Sequence, residues 1–395
     1  MPFLSGTAQE YTDLLRRLRQ FVVGDPLVTN IAFTGTPTGK NLNLIFDTKT
    51  GAPAETWTLT YVSASSWFTV TGSVSGAQAN IPINTDYSNT LFYCRAVPGG
   101  TAYANGDIFT VTVGANSIPA ADKWTQLEWT PYAAPLQLLI RGPGISGTQQ
   151  IFGGITTEDN GANQKHWRVG GFTAYTASIP LASQPNVSSL PYVTLWPNSI
   201  PFWFYVNGDR IIVVANVSGT FHSMYLGYIL PYATPAEWPY PHFVGGDSKS
   251  SLAYNDTTND HHAYLIPAGG AHLRDTFGNW LQFGMFGTPG TLTDYKIWPY
   301  LSAPDQTLTI LDNMEPLPSD GTYPLFPIHL VYRPNSGTPF GAATGQVLGA
   351  FNGVYAIPGL SVTAGSTTIT VGGDTYDVFN DIFRTDRGSY YAVKR

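Results

Sequence analysis

The spacing of apolar residues changes once, near residue 25. Before that point it is helical: Tyr11, Leu14, Leu15, Leu18 and Phe21 share one face of a helix predicted over residues 7–21, and Arg16, Arg17 and Arg19 lie largely on the other. Thr7 and Glu10 have the spacing of a capping box, in which each side chain satisfies an orphan amide at the helix start. Gly24-Asp25-Pro26 closes the element. So short a helix is marginal alone in water, so its stripe must pack on something. Three readings stay open: docking on the chain's own core with the arginines solvated, docking on another chain, or lying on a membrane. Leu14, Leu15, Leu18 and Phe21 are the candidate contacts to a partner chain.

After residue 26 the pattern alternates in short runs. Residues 42–46, 56–61, 67–70, 90–96 and 108–113 read as strands, with turn residues at 49–53, 71–72 and 98–100. This spacing predicts an immunoglobulin-like β-sandwich over residues 26–115, although the Cys–Trp–Cys hallmark of antibody domains is missing. Residues 116–119 read as a linker. The central antiparallel β domain, 120–318, is built on residues 201–231. There Phe202-Trp203-Phe204-Tyr205-Val206 and Arg210-Ile211-Ile212-Val213-Val214 flank Asn207-Gly208, which predicts a type I′ hairpin turn with positive φ at both residues. Ser218-Gly219-Thr220 is a second turn and residues 221–230 a third strand of the meander. Ile211 to Val214 are apolar at consecutive positions, so the strand should be covered on both faces.

Pro231, Pro235, Pro239 and Pro241 then alternate with Tyr232, Trp238 and Tyr240. Such a segment cannot join a sheet ladder. Its aromatics suit a protein interface, internal packing or stacking on sugars, and Tyr232, Trp238 and Tyr240 are taken as interface candidates. A C-terminal β domain, 319–395, carries a hairpin at Gly372-Gly373-Asp374. The predicted fold class is mainly β: an N-terminal amphipathic helix (1–25), the immunoglobulin-like sandwich, then the larger central antiparallel β domain and the C-terminal β domain.

Composition adds one idea. Of 395 residues only 11% are charged, against roughly 25% in ordinary globular chains, while 14% are aromatic. Interface cores are depleted in charge and rich in aromatics, so the chain looks built for an assembly. The net charge of −7 leaves no basic footprint for nucleic acid. The single cysteine, Cys94, excludes an intrachain disulfide and reads as a buried, inert thiol in a strand. The N-terminus lacks a basic segment followed by an apolar core, so synthesis in a cytoplasm without signal-directed export is expected. No apolar run reaches the ~18 residues needed to span a bilayer.

Candidate chemistry is sparse. No P-loop, G-x-S-x-G or H-E-x-x-H pattern occurs, and no enzyme activity, cofactor or metal is expected. Glu158-Asp159 is the best acidic pair, but a glycosidase would need a distant second acid such as Asp209 or Glu237. Asn255-Asp256, Asn259-Asp260 and His261-His262 form the densest polar cluster, which reads as a polar loop with a divalent-cation site as the alternative. His166, His222, His242, His272 and His329 read as structural histidines.

Residues 210–218, followed by Ser223-Met224-Tyr225-Leu226-Gly227-Tyr228-Ile229-Leu230-Pro231-Tyr232-Ala233-Thr234-Pro235, resemble a block in virion structural proteins of tailed bacteriophages. Tyr240-Pro241, Gly245-Gly246 and residues 275–280, 352–359 and 380–385 are similar to the same proteins, as is the opening of the chain. The resemblance implies a tail or baseplate component in the virion, a cyclic homo-oligomer with other virion proteins as partners, and no family active site. A receptor- or carbohydrate-binding tail protein, a capsid or connector protein, and a cell-wall hydrolase acting through Glu158 are the other expectations.

Overall fold

The three-stranded meander forms the middle of a seven-stranded antiparallel sheet in the computed structural model of the chain. The structure describes residues 1–35, 44–132, 135–144, 147, 151–232, 242–257, 261–262, 270–274, 278–283, 295–298, 323–332, 346–385 and 388–395. Across this central sheet the strands run Phe3–Ala8, Ile200–Asn207, Arg210–Val217, Thr220–Tyr228, His242–Gly245, Ala271–Arg274 and Trp280–Phe283. Both its faces are covered, as the apolar run of Ile211 to Val214 predicts. Ile211 and Val213, with Phe204, Met224 and Leu226, point to one side. There they pack on the helix and on a five-stranded side sheet, Thr125–Trp129, Gln137–Gly142, Ile151–Asp159, Lys165–Phe172 and Tyr192–Leu195. Ile212 and Val214, with Tyr205, Phe221 and Tyr225, point to the other side and meet a C-terminal sheet through Leu330, Phe351, Val354, Phe379 and Tyr391. The period-2 alternation of a strand thus serves two cores at once.

The two turns of the meander exchange the roles expected of them. Asn207 pairs with Arg210, so the corners are Gly208 and Asp209, one position later than predicted. None of Asn207, Gly208 and Asp209 has positive φ. The Asn207 side chain instead accepts the backbone N–H of Arg210 at 2.9 Å. Gly208 is required by space, since a Cβ there would lie 2.8 Å from the Ala121 carbonyl. The two-residue turn with positive φ at both corners is the next one, Ser218 (54°) and Gly219 (91°), between Val217 and Thr220.

The helix spans Tyr11–Val23 and starts four residues later than predicted. Thr7 lies in the edge strand Phe3–Ala8; Glu10 is the N-cap, its carboxylate accepting the Asp13 N–H at 2.9 Å. Gly24 ends the helix in the left-handed region. The larger correction concerns the arginines, because the helix is buried on all sides and has no solvated face. Arg16, Arg17 and Arg19 are buried. Arg16 reaches Thr12 and the Pro131 carbonyl; Arg17 pairs with Asp13 at 2.8 Å and reaches the Val28 carbonyl. Arg19 binds Asp25, Asp47 (2.8 Å), the Thr48 carbonyl and Gln126.

Asp47 and Thr48 belong to a pair of antiparallel sheets over residues 27–114. A five-stranded sheet and a three-stranded one share a core containing Trp57, Phe46, Phe92 and Phe109. Cys94 is buried in it, and burial pushes its thiol far up. The 116–119 linker is tied down: the Asn116 amide caps the helix end through the Gln20, Phe21 and Asp25 carbonyls.

The predicted domain boundary at 318/319 is crossed in space. The C-terminal sheet takes in Tyr295–Trp298 and Leu230–Pro231 from the preceding segment. The start of the proline-rich segment therefore does join a ladder, with Pro231 at its end. Gly372 and Gly373, both at positive φ, make the predicted hairpin between Val371 and Asp374. No helix among the described residues is long and apolar enough to cross a membrane.

Candidate functional site: a buried histidine–carboxylate cluster

The predicted contact residues separate into three groups. Leu14, Leu15, Leu18 and Phe21 lie in the chain's own core, at most 2% exposed, so the helix stripe is satisfied internally and presents nothing to a partner. Tyr232 is 56% exposed, and its hydroxyl meets His329 Nδ1 at 3.1 Å. Trp238 and Tyr240 lie outside the described residues. So does Glu237.

The acidic candidates are each held by local partners. Asp159 pairs with Lys165, which holds its carboxyl below the usual range, and Glu158 faces Arg168 at 3.5 Å. Asp209 is buried between Arg210 and the Asn352 amide; burial drives its carboxyl up, and those partners only partly offset this.

The polar loop is described in part. Asn259 and Asp260 lie outside the described residues, while His261 and His262 are fully buried. Each joins a carboxylate from elsewhere in the chain. His262 Nδ1 faces Asp381 at 3.4 Å, and Arg384 bridges Asp381, His262 Nε2 and the His261 carbonyl. His261 faces Asp247, and so does His222.

Three elements bring this triplet together. His222 follows the alternation of Met224 and Leu226, so it projects from the central sheet toward the side sheet. Asp247 follows the strand His242–Gly245, where the chain presses on the side-sheet strand Tyr192–Leu195. A Cβ on Gly246 would lie 2.3 Å from the Tyr192 carbonyl, so only glycine permits this approach. Thr194 then donates to both Asp247 oxygens, through its N–H at 2.8 Å and its hydroxyl at 3.1 Å. His222 Nδ1 lies 2.7 Å from Asp247 Oδ2, and His261 Nδ1 lies 3.9 Å from Oδ1. The two imidazole rings meet edge to face, their centroids 5.6 Å apart. The remaining ring nitrogens are anchored: His222 Nε2 meets the Thr220 hydroxyl at 3.1 Å, and His261 Nε2 meets the Ala253 carbonyl at 3.2 Å.

The charges in this pocket oppose its burial. Burial drives the Asp247 carboxyl up, but His222 and then His261 more than reverse this, and it sits well below the usual range. Burial pulls His261 down, but Asp247, the Ala253 carbonyl and Asp256 together raise it above the ordinary range. A buried carboxylate that stays ionised favours a cation beside it, whether a proton on imidazole or a metal. His166, a further histidine at this end of the side sheet, donates to or accepts nothing at Nδ1, and burial lowers it.

Asp247 and Thr194 do not stand out in the sequence, and His222 reads there as structural. One signal is present: a histidine in phase with Met224 and Leu226 on a buried face is a polar residue at an apolar position. No family model matches the chain, and no curated protein matches it.

Proposed function

We propose that the chain is a structural subunit of a bacteriophage virion, a tail or baseplate component that assembles through protein–protein contacts. The resemblance of residues 210–218 and 223–235 to tailed-phage virion proteins supports this reading. The observation in the geometry that carries it is an apolar group left in solvent where that block ends. Leu230, Tyr232 and Val347 are 43%, 56% and 49% exposed. Leu230 lies on a strand paired with the one that bears Val347, and the Tyr232 N–H reaches the Leu348 carbonyl. Large apolar side chains on adjoining strands at a surface mark a contact site, and a chain with 11% charge has few charges to shield them.

In this reading the central and C-terminal sheets build a ring of identical copies, closed by cyclic symmetry. The paired sheets over residues 26–115 act as an immunoglobulin-like module, carried on the ring by the helix. Catalysis has no part in it. Mass spectrometry and antibody labelling of intact particles test the proposal: the chain should be a stoichiometric particle protein located on the tail. Introducing Leu230→Asp with Tyr232→Asp should remove it from particles while the isolated chain stays folded. Particles that lack the wild-type chain, or that take up the double variant at the wild-type level, contradict it.

A further inference from the structure

His261 Nε2 faces a carbonyl, which can only accept, so that nitrogen carries a hydrogen. In the neutral ring Nδ1 is then a bare lone pair. It is fully buried, has no hydrogen-bond partner, and points at a carboxylate oxygen 3.9 Å away. Two acceptors make no hydrogen bond with each other, and with the ring neutral the two lone pairs repel; even a hydrogen on Nδ1 would be too far away at 3.9 Å for a good one. His222 differs in that its Nδ1 is hydrogen-bonded to Asp247 Oδ2 at 2.7 Å. The Thr220 hydroxyl donates to the Val217 carbonyl and so takes an Nε2–H, which leaves Nδ1–H on a charged ring as the proton that a metal ion would replace. All three donor atoms lie within 4.8 Å of one another. Ligand atoms around a tetrahedral zinc ion sit about 3.3 Å apart, given bonds of about 2.0–2.2 Å. That value falls between the 2.7 and 3.9 Å separations of the two histidines from Asp247.

We propose that His222 Nδ1, Asp247 and His261 Nδ1 form a binding site for a divalent transition metal of the zinc class. Two imidazoles and one carboxylate are the donor set such ions take, whereas calcium and magnesium prefer oxygen alone. The surrounding contacts are those of a metal site. Thr220 and the Ala253 carbonyl hold the outer ring nitrogens, and Thr194 orients the carboxylate. A bound ion staples three separate segments: the strand Thr220–Tyr228, the turn after His242–Gly245, and the loop carrying His261. Three protein ligands leave a fourth position for water. The site is independent of the assembly reading and survives its failure.

The test uses the full chain, purified without metal-affinity steps, stripped with chelator and titrated with Zn²⁺ or Co²⁺. One equivalent of metal per chain, a Tm that rises on Zn²⁺ addition, and visible d–d absorption of a low-symmetry Co²⁺ complex are expected. His261→Ala, and the milder His261→Gln, should weaken Zn²⁺ binding by at least about tenfold. His272→Ala, at a buried histidine outside the triplet, should bind as the wild type does. A folded wild-type chain that takes up neither ion overturns the proposal, whatever the variants do. Equal binding by folded His261→Gln overturns it as well.

Discussion

Buried histidines outside the triplet contribute to the chain's response to acid. His242 has no partner at Nε2 and stands edge-on to Trp280, ring centroids 5.3 Å apart. Burial, with Arg274 adding to it, lowers its imidazole to about 3; burial alone lowers His272 to about 4. The unfolded chain protonates these groups near 6.5, so between that pH and the folded values the unfolded state binds more protons. Stability therefore falls as pH falls through this window. For His242 the loss between about pH 6.5 and pH 4 is about 3 kcal/mol, at about 1.36 kcal/mol per pH unit. His242→Phe keeps the ring contact and removes the titration. Urea unfolding should show wild type and variant diverging in the variant's favour by that order as the pH drops to about 4. Parallel pH profiles would show that the group is not the cause.

The helix illustrates what alternation and periodicity reveal and what they omit. Its apolar stripe is plain in the spacing of Leu14, Leu15, Leu18 and Phe21. The fate of its arginines is not, because Asp25, Asp47, the Val28 carbonyl and the Pro131 carbonyl come from beyond the helix, the last more than a hundred residues away. Periodicity marks Arg19 as a polar face and cannot show that another segment covers it. The histidine–carboxylate triplet escapes for the same reason, since residues 222 and 247 meet through strand pairing in the central sheet and residue 261 comes from a later loop. The meander is legible because its signals are local: β-branched runs, then turn residues. Even so, the turn moves by one residue, as the Asn207 side chain captures the Arg210 N–H.

Two predictions belong to these elements. Arg19→Ala leaves Asp25 and Asp47 buried without their cation and should cost about 3–5 kcal/mol in chemical denaturation. A change below about 1 kcal/mol would mean that the network contributes little. Gly219→Val places a β-branched side chain at φ 91° and should destabilise the second hairpin by more than about 1 kcal/mol, roughly the least cost of such strain. Gly51→Val, at φ 86° with nothing near its Cβ, provides a matched strain control outside the meander.

In the whole molecule, the central sheet has one core on each face, and both are closed by this chain alone. The helix and side sheet cover one face and the C-terminal sheet the other. The apolar side chains that remain exposed are therefore separate from the folding core, and changing them should alter association more than stability. Leu230→Asp with Tyr232→Asp should shift the unfolding midpoint little, because surface substitutions are usually within about 0.5 kcal/mol. Light scattering of the purified full chain at micromolar concentration gives the most direct test of the assembly claim. A closed homo-oligomer that dissociates in the Leu230→Asp, Tyr232→Asp variant is the predicted result, and a wild-type chain that remains monomeric across the concentration range would contradict it.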